Sequence, residues 1–400
     1  MSHIPDRETA RRLARDVFAE RAATWDRDRR YCHDNIPVLV EAGIMGMTIP
    51  RAQGGLGAGF DDVVPVIEEI AKACTLTARV VVEANMGAVS AVMAYGSDEQ
   101  RELAAARVLA GDKPAICITE PGAGSAATEM TTTARPVAGG YRIDGVKHWI
   151  TGGGVSRIHL IFARVEDASG RPLGIGGFLL DIDPADPPEG FRIVRHERTL
   201  GLCGMPEAEL AFDGLFVPEA MVLTPPGGFE KGFARLMNAY NSQRVGAGTV
   251  ALGVAAGAFE RARDYMHERV QFGRPIAEFQ GLQWMLADMD TGLHAARLLL
   301  AEAAASHGPN GSAFPDPTKA ARAKLFASET SIRVVNDALQ ILGARGYGSE
   351  EPLERMYRDV RMFTIGGGTA QVLRTQIAGA ALGIRTPQTR DGYSRRATAR

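Results

Sequence analysis

From residue 6 to about residue 112, apolar positions recur every three or four residues, the period of a helix with one buried face. This pattern predicts a charged amphipathic helix from Glu8 to Arg27, a short one from Asn35 to Ala42 and a long, nearly unbroken one from Phe60 to Tyr95. Between the last two lie Gly43 to Pro50 and Gly54-Gly55-Leu56-Gly57, too rich in glycine and proline for anything but a loop. From about Ala115 to Pro218 the period shortens to alternation. Tyr141 to Thr151 reads as a hairpin around Asp144-Gly145, and Arg157 to Val165, Gly177 to Ile182, Phe191 to His196 and Glu209 to Val217 read as strands. Helical spacing resumes from Phe229 to about Leu382, with breaks near 273–275, 308–317 and 343–352 that leave segments long enough for a four-helix bundle. The fold class is therefore α+β and mostly α. An N-terminal helical domain spans 1–114, a middle antiparallel β domain 115–225, a C-terminal four-helix bundle 226–385 and a polar tail 386–400.

Composition narrows the function more than the fold. With 400 residues, 45% hydrophobic and 23% charged, the chain resembles a globular protein of two or three domains. A net charge of −2 offers no global field to recruit nucleic acid or an anionic membrane. Cys32, Cys74, Cys117 and Cys203 are scattered, with neither disulfide-scaffold density nor paired metal spacing, so no metal site is expected. The start of the chain has no apolar signal core, and no apolar run of membrane length stands out. These features predict a cytoplasmic protein.

Three stretches carry candidate chemistry. Gly366-Gly367-Gly368 interrupts a helical pattern, either as a tight turn or as backbone that approaches a ligand. Arg79 sits inside the apolar run Thr77 to Val82, so its guanidinium must be exposed, paired with Glu83 one turn on, or turned toward a ligand. Cys117 to Ser125 is a glycine-rich turn that exposes N–H groups, and Lys147 to Thr151 adds an aromatic and a hydroxyl.

In their order along the chain these stretches resemble the acyl-CoA dehydrogenase family. The matches are Gly43 to Pro50 with Gly54 to Gly57, Thr119 to Ser125, Lys147 to Thr151, Glu268 to Gly273, Gln340 to Gly343, and the terminal stretch ending Gly368-Thr369-Ala370-Gln371. The resemblance covers essentially the whole chain. It implies flavin adenine dinucleotide (FAD) held between subunits of a homotetramer, with an acyl-CoA substrate. Cys117, Thr119, Gly124, Ser125, Trp149 and Thr151 would surround the flavin, while Arg269, Phe272, Gln340, Gly343, Thr369 and Gln371 would reach a neighbouring subunit's cofactor. Ala126 and Gly152 stand where the family often has aspartate and asparagine.

The informative departure is catalytic. Removal of an α-proton needs a base, and the family places its carboxylate at the positions that here hold Gly367 and Gln243. Neither accepts a proton at neutral pH. The Gly367 N–H can still donate to a thioester carbonyl. The resemblance also puts Arg79 at the far end of the acyl pocket, where a guanidinium suits a tail ending in an anion.

Loss of both bases together with that arginine is similar to one branch of the family, the 3-sulfinopropanoyl-CoA desulfinases. The expectation is redox-neutral conversion of that thioester and water to propanoyl-CoA and sulfite. Arg79, Gln243 and Gly367 would act on the substrate, and Ser125, Tyr240, Asn241 and Arg244 would bind it. Two alternatives remain: a dehydrogenase with its carboxylate relocated, for instance to Glu83 or Glu129, and a non-catalytic flavin-bearing binding protein.

Overall fold

The structure is a computed structural model that describes residues 4–308, 312–384 and 386; the predicted polar tail lies almost wholly outside the described residues. The first helical run is continuous from 7 to 27 with a π segment at Ala14–Phe18, and Asp6 caps it by accepting from Thr9 N at 2.9 Å.

The long helix predicted from Phe60 to Tyr95 is three helices: Phe60–Ala73, Thr75–Asn85 and Ala88–Tyr95. Cys74 breaks the first junction with an extended backbone, and its Sγ accepts from Thr77 N. Gly87, at φ +68, breaks the second. Both breaks were hidden because their residues are as apolar or small as their neighbours. The segment Thr75–Tyr95 is long and apolar enough to cross a membrane, with an 18-residue window at a mean hydropathy of 1.2, but 89% of that window is buried inside the protein. Its apolarity is that of a core helix.

The middle domain is one eight-stranded sheet of β1 (Ala115–Cys117), β2 (Thr133–Val137), β3 (Gly140–Thr151), β4 (Ile158–Glu166), β5 (Pro172–Asp181), β6 (Phe191–His196), β7 (Glu207–Pro218) and β8 (Val222–Leu223). It is mixed where the alternation predicted an antiparallel sheet. β1 and β2 both pair parallel with β4, β1 along 159–161 and β2 along 164–165, so they lie end to end on one edge of β4. The loop 118–132 is thrown out between them. β1 and β2 escaped the sequence reading because one has three residues and the other contains Pro136.

The predicted hairpin at Asp144-Gly145 is instead a bulge in the unbroken strand β3. Gly145, at φ +146, leaves room for Thr132, whose Oγ1 would stand 2.5 Å from a Cβ there, and Asp144 Oδ1 accepts from Gly214 N at 2.7 Å. The true β2–β3 turn is Ala138-Gly139.

The C-terminal unit holds the helices Gly228–Glu268, Gln280–Ala304, Pro317–Leu342 and Ala370–Leu382, with shorter turns between the last two. On the long first helix, Gly253 and Gly257 lie against the Phe60–Ala73 helix. A Cβ at either would stand 2.4 Å from the carbonyl of Glu68 or Lys72. Gly246 does the same for the next helix, with Val82 Cγ1 at 2.7 Å. These close approaches join the N-terminal helices and the bundle in one core.

Candidate active site

The glycine triplet forms a turn that side chains hold from two sides. Gly367 and Gly368 both adopt positive φ, +73 and +92, which only glycine takes without strain. Lys324, fully buried on the Pro317–Leu342 helix, donates from Nζ to Gly368 O at 2.7 Å. Burial, with Arg244 and Arg79 nearby, lowers its ammonium to about 7. Arg244 Nε stands 3.9 Å from where a Gly368 Cβ would be, and its Nη1 donates to Asn241 Oδ1 at 2.9 Å and to Gln376 Oε1 at 3.0 Å. A Cβ on Gly367 would meet nothing nearer than Lys324 Cε at 3.8 Å. The position has room for a side chain and carries none.

Gln243 is buried on the long helix, and its Oε1 is a buried acceptor without a partner. It sits over the Gly87 break, where a Cβ would approach Gln243 Oε1 to 2.5 Å and Ile116 Cδ1 to 3.0 Å, and Gly87 N donates to the adjacent Ser242 Oγ at 3.1 Å. An unpaired buried carboxamide oxygen costs about 1–3 kcal/mol, and a ligand donor would recover it.

Of the possibilities left open for Arg79, exposure is ruled out and the pair with Glu83 is present. Arg79 is 7% exposed and ion-paired with Glu83 within the Thr75–Asn85 helix, yet its Nε has no partner. Glu83 is shared, for its second oxygen takes the ammonium of Lys113. With both oxygens engaged by cations, Glu83 is not a free base. Glu129 is exposed on a short turn. Neither is the relocated carboxylate of a working dehydrogenase.

Sequence reasoning also missed Glu207, the first residue of β7. It accepts from Thr151 Oγ1 at 2.9 and 3.0 Å, and burial raises it to about 7 against the pull of Arg79. Its register opposite Thr151 becomes visible only once β3 and β7 are paired. Burial raises the Tyr240 phenol, whose field includes Arg244, Arg79, Glu83 and Glu207.

The ejected loop 118–132 is pinned from below. Lys147 is fully buried and donates to Glu120 Oε1 at 2.9 Å and Ile118 O at 3.0 Å. Burial pushes the Glu120 carboxyl up, but donors from Thr131, Thr132 and Lys147 outweigh it and hold it at about 2. The pin leaves Gly124 and Ser125 exposed, with open space around Gly124. Beside it, a second bulge in β3 forces Trp149 to φ +57 and leaves its ring 51% exposed. For a bulky residue that backbone is strained, and strain of this kind concentrates at functional sites. The indole stacks on His148 at 4.9 Å, and His148 is bonded to Glu197.

Thr119 and Trp149 are brought close by His148 N, which donates to Thr119 O at 2.8 Å; Gly124 and Ser125 follow on the same loop, and Thr151 lies two residues on along β3. Cys117 does not join them. Its thiol is buried in the sheet core and pushed up to about 12 by burial, while alternation along β1 turns Ile116 toward Gly87 and Gln243 instead. The period of two could have shown this.

Arg269, Phe272 and Gly343 line a separate groove of about 790 Å3 at the far end of the bundle, where Phe272 is 94% exposed. Gln340 lies at its edge, its carbonyl accepting from Gly343 N at 3.1 Å. Thr369 caps the Ala370–Leu382 helix by accepting from Val372 N at 3.1 Å, and Gln371 is exposed in its first turn.

Comparison with known proteins matches three family models in chain order: the acyl-CoA dehydrogenase N-terminal domain over 5–112, the middle domain over 115–215 and the C-terminal domain over 230–382. The chain is 57% identical to a 3-sulfinopropanoyl-CoA desulfinase of Variovorax paradoxus and 56% identical to one of Cupriavidus necator, with 96% of each chain covered in both cases. Among solved structures, butyryl-CoA dehydrogenase from Megasphaera elsdenii superposes with a TM-score of 0.86 at 30% identity, covering 96% of this chain and 99% of that one. An FAD complex of PigA gives 0.85 at 25% identity, covering 95% and 97%.

Proposed function

The chain belongs to the acyl-CoA dehydrogenase family, and we propose that it uses that scaffold for the redox-neutral desulfination of 3-sulfinopropanoyl-CoA. The thioester and water give propanoyl-CoA and sulfite. In the balance, the bond between the β-carbon and sulfur breaks with its electron pair left on carbon. A proton from water ends on that carbon, and the oxygen of water ends on sulfur. No electrons are gained or lost overall, so neither an electron acceptor nor an α-proton base is required.

The observation that carries this reading is the buried guanidinium of Arg79, whose Nε is unpartnered, in a site with Gln243 and Gly367 at the two base positions. Arg79 binds the sulfinate and polarises its S–O bonds, which favours arrival of the water oxygen at sulfur. The Gly367 N–H holds the thioester carbonyl, on a turn that Lys324 fixes through Gly368 O. The Gln243 carboxamide orients the acyl chain or the attacking water. Asn241 and Arg244 hold the pantetheine arm, with Tyr240 and Ser125 along the same path.

The residues present fit FAD. An exposed indole on a strained bulge, the open backbone at Gly124 and the hydroxyls of Ser125 and Thr151 suit a flat ring. The N-terminus of the Ala370–Leu382 helix, with Thr369 and Gln371, suits an anionic arm. When bound, the flavin supplies a flat aromatic floor for the acyl chain and a redox couple that the net reaction leaves unspent. Arg269, Phe272, Gln340 and Gly343 serve a second subunit's cofactor in a homotetramer. The exposed apolar side chains of Phe272, Tyr347 and Trp284 support that assembly. Four unpaired cysteines agree with a cytoplasmic setting.

One assay tests the reading. Purified enzyme is given 3-sulfinopropanoyl-CoA, succinyl-CoA and butanoyl-CoA, and sulfite is measured. Sulfite and propanoyl-CoA from the first thioester are expected. No sulfite, with bleaching of the flavin by butanoyl-CoA, would return the chain to dehydrogenation.

A further inference from the structure

Lys113 lies in the short segment between the Asp98–Leu109 helix and β1, where the N-terminal helices meet the sheet. It is 1% exposed. Its ammonium takes one oxygen of Glu83, Arg79 takes the other, and Lys113 Nζ also donates to Thr151 O at 3.2 Å. A buried arginine and glutamate alone would be a neutral pair. Two cations on one carboxylate leave a positive charge in excess, and an excess buried charge is stable only with a counter-ion or a shifted proton.

The space that Lys113 fills is built for it. Gly152 sits at φ +89, and a Cβ there would stand 2.3 Å from Lys113 Nζ, 2.7 Å from its Cε and 2.4 Å from Ser156 Oγ. Ser156 Oγ in turn donates to Lys113 O at 2.6 Å. Gly152, set at a position where the family often has asparagine, is the vacancy that admits the ammonium. The other titratable groups facing this cluster are Glu207 from β7, Tyr240 from the long helix and Asp112 next to Lys113, with Tyr31, Cys32 and His159 on the far side and Lys324 and Arg244 on the bundle side. Asp112 spends its two oxygens on Arg157 N and Ile158 N, at 2.8 and 2.9 Å, and Glu207 accepts from Thr151, so Glu83 is the carboxylate ion-paired with Arg79.

We propose that Lys113 is a specificity-determining residue: by occupying half of Glu83 it leaves Arg79 with uncompensated positive charge, so that the pocket selects acyl-CoA thioesters whose tails end in an anion. Gly152 is what makes that possible. The selection rests on the acyl-CoA reading above, and the desulfinase reading adds only which anion is used.

The test uses the FAD-loaded enzyme and equilibrium binding of succinyl-CoA and butanoyl-CoA, one anionic at the tail and one not. Lys113→Gln lets Glu83 neutralise Arg79 and is expected to weaken succinyl-CoA about tenfold or more, with butanoyl-CoA changed by no more than about twofold. The double variant Glu83→Gln/Lys113→Gln leaves Arg79 alone, restores the excess charge and is expected to recover succinyl-CoA binding. A purely structural role for Lys113 would weaken both ligands together and would not be rescued. Unchanged succinyl-CoA binding in Lys113→Gln, equal loss of both ligands, or no recovery in the double variant each overturns the proposal. If Lys113→Gln does not fold, the double variant decides alone, by keeping or losing the anion preference. Sulfite release by the unaltered enzyme is followed separately, so its absence counts against desulfination and leaves the binding comparison intact.

Discussion

Gln243 differs from a catalytic glutamate by one proton-accepting oxygen, and its Oε1 already lies buried without a donor. Gln243→Glu therefore changes chemistry at nearly constant shape. We expect it to add slow α-proton abstraction, read as anaerobic bleaching of bound flavin by butanoyl-CoA; an unbleached flavin would mean that the pocket lacks more than the base. Arg79→Met should cut sulfite release by a hundredfold or more, on the order of 3 kcal/mol, because it removes the proposed partner of the sulfinate and leaves Glu83 with Lys113 alone. Comparison of kcat/KM with the unaltered enzyme reads this directly. Glu207 and Lys324 both titrate at about 7, one raised and one lowered by burial. Deprotonating either removes positive charge from the site, so KM for the anionic thioester should climb between about pH 6 and 8. A flat KM profile across that range would contradict the placement of these groups around the substrate.

The long bundle helix owes its position to glycines. A Cβ at Gly253 would lie 2.4 Å from Glu68 O and 2.5 Å from Ala71 Cβ, both on a rigid helix. Gly253→Ala should thus destabilise by about 1–3 kcal/mol despite alanine's better helix propensity, and a lower Tm with retained helicity checks it. The helices and most of the strands were readable from period alone, because one buried face per element was enough to place them. What period could not show were events at single residues: the breaks at Cys74 and Gly87, the bulges at Asp144 and Trp149, and the end-to-end placement of β1 and β2. Arg79, Gln243 and Gly367 were legible as departures from a pattern. Glu207, Lys113 and Lys324 were not, since a charged residue at a strand end, in a connection or within a helix gives no sign that the fold will bury it.

At the scale of the whole molecule, the site is the place where the N-terminal helices, the sheet and the bundle meet, so its residues come from 79 to 368 and none of the three parts holds it alone. Stability bears on it through buried groups such as His159, which is 1% exposed and lowered to about 4 by burial. The unfolded chain takes up that proton near 6.5 and the folded one does not. Stability is therefore intact above about pH 6.5 and falls as pH drops toward 4, by roughly 3 kcal/mol from this group. His159→Phe should flatten that limb in denaturant melts across the same window.

The central claim, that a dehydrogenase scaffold here breaks a carbon–sulfur bond without net oxidation, is tested most directly by one anaerobic reaction followed in the flavin absorption band while products are quantified. One sulfite and one propanoyl-CoA are expected per 3-sulfinopropanoyl-CoA consumed, with the flavin ending oxidised. Bleaching of the flavin in step with loss of substrate, or turnover without sulfite, would contradict it.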